Sequence, residues 1–177
     1  MAEHMNSRKL RPLSGPLPAP LKKLARRARA LGWLMLNPST AGAETGDRTV
    51  DQVVHFSRRE GYGGAWIANL YGYRSPLPRV LRDLAVSGAG YAAGGPENDR
   101  WIRTMLAAVP RVVLAWGATA GQPWARDRRD AVLAMVAASG TPALCLGTTS
   151  GGHPRHPCRL PRSVPLVPWP PGLWYRS

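Results

Sequence analysis

The chain has 177 residues, 44% of them hydrophobic, which is room for one domain of common size plus some extra chain and too little for two independent cores. No run comes near the ~18–20 uninterrupted apolar residues of a membrane span, which excludes a transmembrane helix and gives no reason to expect a membrane partner. Charge is the strongest signal: 24 Lys and Arg against 10 Asp and Glu give +14, and only Lys9, Lys22 and Lys23 are lysine. Acids are scarce as well as arginine being favoured over lysine, so compositional bias alone does not account for the excess, and a polyanion is the first partner to consider, DNA before RNA.

Residues 1–30 carry eight basic residues against Glu3, with prolines at 12, 16, 18 and 20. They read as a basic, Pro-rich arm with a short helix from Leu21 to Ala30. From residue 31 to 160 the pattern is that of a single α/β domain. Four short apolar runs have strand length: Trp33–Leu36, Ala65–Asn69, Val112–Trp116 and Ala143–Leu146.

Between them the period becomes helical. Asp47 can cap a helix with Val50, Val53, Val54 and Ser57 on one face and Gly61 as its stop. Pro78–Val86 carries a shorter helical pattern. Ile102, Met105, Leu106 and Val109 mark another helix before Pro110, and a last one runs from Trp124 to Ser139, stopped by Gly140. Apolar strands without alternation, each followed by a helix, are buried on both faces and parallel. The expected fold is an α/β three-layer sandwich around a mainly parallel sheet of four to five strands. Residues 161–177 read as a Pro/Trp-rich C-terminal extension.

Ligands of open parallel sheets bind beyond the carboxyl ends of the strands, so the polar residues there are the candidate site. The first strand runs into Asn37, Pro38 and Ser39. Asn37 offers an oxygen that can hold a water on a turn stiffened by Pro38, though an Asn-Pro turn serves structure equally well. The second strand ends at Asn69, which can pair with a base edge or satisfy loop backbone, followed by Tyr71 and Tyr73 as stacking or packing aromatics and Arg74 as a phosphate contact. After the fourth strand come His153, Arg155 and His156, in a glycine-preceded, proline-braced loop where histidine can donate or accept a proton near neutrality.

His153, His156 and Cys158 lack a second ligand pair, so no metal is expected. No phosphate-loop or dinucleotide glycine pattern follows a strand, so no cofactor is expected either. Cys145 lies in an apolar run and reads as a reduced, buried thiol, and residues 1–30 contain no secretory signal; a cytoplasmic protein is expected. Oligomeric state is not legible.

Leu34–Ala41, the Gly61–Gly64 turn, Asn69–Arg74, Asn98-Asp99, Ala115–Gly117 and Gly152–Pro157 together resemble the bacterial domain of unknown function 1643 family over roughly residues 32–160. More distantly, the order of elements is similar to the uracil-DNA glycosylase superfamily. That resemblance implies a parallel sheet between helices, a first-strand residue positioning the attacking water (Asn37), an asparagine reading the base (Asn69), and a terminal His-Pro loop steadying the departing base (His153). Arg155 stands where that loop has serine, and no stacking aromatic follows the first motif. The activity implied is hydrolysis of the N-glycosidic bond of a modified or damaged base in nucleic acid. The alternatives are a non-catalytic nucleic-acid binder of the same fold and a hydrolase of a free modified nucleoside or nucleotide.

Overall fold

The computed structural model describes residues 29–38, 48–73, 75, 78–87 and 95–169. The elements in chain order are β1 (Ala30–Met35), α1 (Arg48–Arg59), β2 (Gly64–Asn69), α2 (Pro78–Val86), α3 (Pro96–Ala108), β3 (Val112–Leu114), two 3₁₀ turns (Ala118–Gly121 and Pro123–Ala125), α4 (Arg126–Ser139), β4 (Ala143–Cys145) and β5 (Val167–Pro168). The basic arm through residue 28, the Asp47 cap, Ser39 and Arg74 lie outside the described residues. So does most of the helix expected at 21–30, whose last residue, Ala30, instead opens β1 and pairs with Gly64.

The sheet order is β2-β1-β3-β4-β5, parallel throughout except for β5, which runs antiparallel to β4. Successive residues of β1 feed two cores. Leu31, Trp33 and Met35 face α1, whereas Leu34 packs toward α2, α3 and α4 on the opposite side. Strands buried on both faces need apolar side chains at every position, which is why β1 and β3 show runs instead of alternation. The molecule is a three-layer α/β sandwich.

Each face has its own fastening. On the α1 side the indole of Trp33 donates to Ser57 Oγ at 2.9 Å, which explains a fully buried serine on an apolar helix face. α1 also fixes the chain after residue 158: Gln52 Nε2 donates to the Leu160 carbonyl, and Arg59 Nη1 donates to the carbonyls of Arg162 and Val164. On the other side Gly32 lets β1 approach the end of α3, since a Cβ there would come within 2.9 Å of Val109 Cγ2. Residues 161–169 continue onto the domain: Val164 and Leu166 pack on the α1-side core, Trp169 N–H donates to the Ala143 carbonyl, and its ring meets that of Trp116.

The chain steps from β1 outward to β2, crosses back past β1 to β3, and continues to β4. The direction reverses between β1 and β3, and the crossover helices change face there, as right-handed connections demand. That reversal opens a crevice at the carboxyl ends of β1 and β3. Among the described residues no helix is long and apolar enough to cross a membrane.

Candidate functional site

Asn37 stands at this switch point. Its Nδ2 donates to the carbonyl of Ser75 at 2.6 Å and to that of Pro38 at 3.2 Å. Both partners are pure acceptors, so the amide orientation is settled by its neighbours and Oδ1 is turned away from them. A carboxamide oxygen held this way accepts a hydrogen bond from a water and orients it without removing its proton. The Asn37–Ser75 bond also ties the turn after β1 to the segment after β2.

Asn69 ends β2 in register with Met35. Beside it, along the outer edge of β2 and against the first turn of α3, lies a cavity of about 600 Å³ lined by Pro38, Trp66, Asn69, Glu97, Asn98 and Trp101 among others. The chain leaving β2 is held by side chains from two helices. Asn98 Nδ2 donates to the carbonyls of Asn69 and Leu70; Arg128 Nε also donates to the Leu70 carbonyl, and Arg128 Nη1 pairs with Asp99. The Leu70 and Tyr71 N–H groups still pair with the Met35 and Leu36 carbonyls at the end of β1, and Arg128 and Asn98 take up the Leu70 carbonyl on the other side.

Of the two roles open to Tyr71, stacking on a base or packing at the sheet end, its burial fits packing. It is 1% exposed, its ring lies 5.9 Å from that of Trp124, and burial pushes its phenol up to about 12, with Arg128 opposing and Asp127 adding to the shift. A base stacking on it would have to open the core. Tyr73, two residues on, is exposed.

The third part of the rim is the loop after β4. Arg155 N–H donates to the Gly147 carbonyl, Thr149 N–H to the His153 carbonyl, and His153 N–H to Thr149 Oγ1, closing a short antiparallel bridge between Thr148 and Pro154. The loop docks on the turn after β3, where Gly117 N–H donates to the Pro154 carbonyl. The His153 imidazole lies directly on Gly121: a Cβ at that position would overlap the ring at Nε2 and Cδ2. Burial and then the nearby Arg129 guanidinium hold His153 below the ordinary histidine range, so it is neutral at pH 7 and acts as a hydrogen-bonding group, not a cation. His156 Nδ1 accepts from the Cys158 N–H, which leaves its Nε2 as the donor. Arg155 and His156 are half-buried beside it.

Asn37, Asn69 and the His153 loop therefore lie along one carboxyl edge. With strands about 4.8 Å apart, the β2 and β4 ends are roughly 14 Å from each other and Asn37 stands between them. Among the described residues no group of three or more His, Cys, Asp or Glu is placed to hold a metal ion. Sequence reasoning missed Gly121, Trp101, Glu97 and Arg128; Asn98-Asp99 entered only as a motif, and the load it carries was not legible.

No curated protein matches the chain, and no solved structure does. One family model does, described as Protein of unknown function (DUF1643), over residues 21–158. Spanning well over half of the sequence, that match means that the chain belongs to the DUF1643 family.

Proposed function

We propose that the protein is an N-glycosidase that hydrolyses the bond between sugar and base at a modified or damaged position in nucleic acid. The observation that carries this reading is Asn37, at the switch point with its Nδ2 committed to the Ser75 and Pro38 carbonyls and its Oδ1 left to accept, between an Asn69-lined cavity on one side and the His153 loop on the other. In the reaction, Asn37 Oδ1 accepts from a water whose oxygen attacks C1′. The C1′–N bond breaks with its electron pair passing to the base, and the proton released by the water ends on the departing base. His153 donates a hydrogen bond to the base as charge develops there, and the Arg129 cation favours that charge. A carboxamide suits this role because the sugar carries most of the positive charge at the transition state, so the water needs placing more than deprotonating.

Lifting a base from a duplex costs a few kcal/mol, which phosphate contacts by a +14 chain offset. The two cysteines of the described residues are free thiols, in keeping with a cytoplasmic setting.

The test is a product assay on the full chain. Labelled single- and double-stranded oligonucleotides carrying uracil, hypoxanthine, hydroxymethyluracil, and methylated cytosine and adenine are incubated, then treated with alkali to reveal abasic sites. Cleavage of at least one, lost in Asn37→Ala and His153→Ala while binding persists, is expected. Binding without cleavage across the panel would replace this reading with a non-catalytic binder. Turnover of free nucleosides alone would move the substrate to a small molecule.

A further inference from the structure

The cavity beside Asn69 is walled by aromatic and polar side chains. At about 600 Å³ it falls within the range of small-molecule sites, large enough for a base with its sugar. Two of its walls are flat aromatics, Trp66 on β2 and Trp101 on α3, and Trp101 is 54% exposed, an unusual state for the largest apolar side chain. A planar heterocycle is the ligand such walls suit, because every base has a π face to lay against them.

The polar groups facing that ligand are mostly acceptors. Asn98 has given both N–H bonds of Nδ2 to the carbonyls of Asn69 and Leu70, so only its oxygen remains to offer. Glu97 makes no hydrogen bond or ion pair among the described residues, although the chain has more than twice as many basic as acidic residues. Its neighbour Asp99, by contrast, is taken by Arg128. Asn69 adds one acceptor and one donor group. A carbonyl presented to Glu97 meets an acceptor, whereas an amine meets its complement.

We propose that this cavity selects heterocycles carrying an exocyclic amine, as in cytosine, adenine and their derivatives, over their oxo counterparts, with Glu97 as the discriminating residue and Trp101 as the stacking wall. The proposal rests on the glycosidase reading only for what happens to the bound base, so its test measures binding and not turnover.

Calorimetric titration of the full chain with cytidine against uridine, and adenosine against inosine, compares ligands of nearly equal shape. Each amino nucleoside should bind about tenfold tighter than its oxo counterpart, the scale of one good base-edge contact. Glu97→Gln should shrink that ratio to about threefold or less. Trp101→Ala should weaken both members of a pair alike and leave the ratio intact. Uridine binding as well as cytidine, a preference that survives Glu97→Gln, or no nucleoside bound at millimolar concentration would each overturn the proposal. Selective binding without cleavage in the oligonucleotide assay would instead count against the glycosidase reading alone.

Discussion

At the β4 end of the carboxyl edge, the loop from Gly147 to Cys158 is held by its own backbone and by glycines of the turn after β3. At the β2 end, the chain after Asn69 pairs through the Leu70 and Tyr71 N–H groups with the end of β1, and its carbonyls are held by Asn98 and Arg128, side chains 28 to 58 residues away in sequence. Both arrangements join segments distant in sequence, but the first rests on backbone conformation and close glycine contact and fails when a backbone angle is denied, whereas the second rests on side chains and fails when one guanidinium is removed. Positioning His153 and positioning Asn69 are thus separable problems, and substitutions should damage one end without the other.

The largest effect is expected from Arg128→Met. It deletes the bonds to Asp99 and to the Leu70 carbonyl and leaves a partly buried carboxylate without its cation, at a cost of about 2–4 kcal/mol. The midpoint of urea unfolding should fall at an unchanged m-value. Backbone amides of 149–155 should keep their hydrogen-exchange protection while those of 69–73 lose theirs. Loss at both ends together would show that the edge behaves as one unit.

This contrast also explains what was legible in the sequence. Trp33, Val113 and Met135 declare themselves, because apolar runs and 3.6-residue spacing are properties of neighbouring positions. β5 does not: two residues in a proline-rich segment carry no period, and only the folded chain shows them pairing with Leu144 and Cys145. Tyr71 and Tyr73 look alike as sequence, yet the chain turns after Leu70 and sends one ring into the core and the other into solvent. Arg128 was hidden for another reason. Among 21 arginines, nothing local marks the one whose partners lie just after β2 and on α3.

Next in size come the two glycines under the His153 loop, which fail for different reasons. Gly117 has φ +76° and ψ −176°, a region that essentially only glycine occupies, so Gly117→Ala should cost about 1–3 kcal/mol whatever its neighbours. Gly121 is limited by contact with a side chain: Gly121→Ala should cost about 1–3 kcal/mol and displace the imidazole, seen as a shift of the His153 ring resonances. Adding His153→Ala should relieve the second variant and leave the first unchanged. A double-mutant cycle with equal coupling for both glycines would contradict the assignment.

The subtlest separation is by pH. His153 is held below 6.5 in the folded chain by burial and then by Arg129, so between its folded value and 6.5 the unfolded chain binds the extra proton. Its contribution is complete above pH 6.5 and is lost as pH falls below that value. Tyr71 has the opposite sign. Its phenol, raised from 10.0 to about 12 by burial, favours the fold below pH 10 and ceases to do so as pH rises from there toward 12. Urea midpoints measured from pH 5 to 11 should therefore show His153→Gln flattening the acid slope alone and Tyr71→Phe flattening the alkaline slope alone. Arg129→Met should bring the His153 titration part of the way back toward 6.5, since burial, the larger cause, remains. If either variant altered the slope belonging to the other, the β2 and β4 ends of the edge would be electrostatically coupled across the sheet, and the separation drawn from their hydrogen bonds would not extend to their charges.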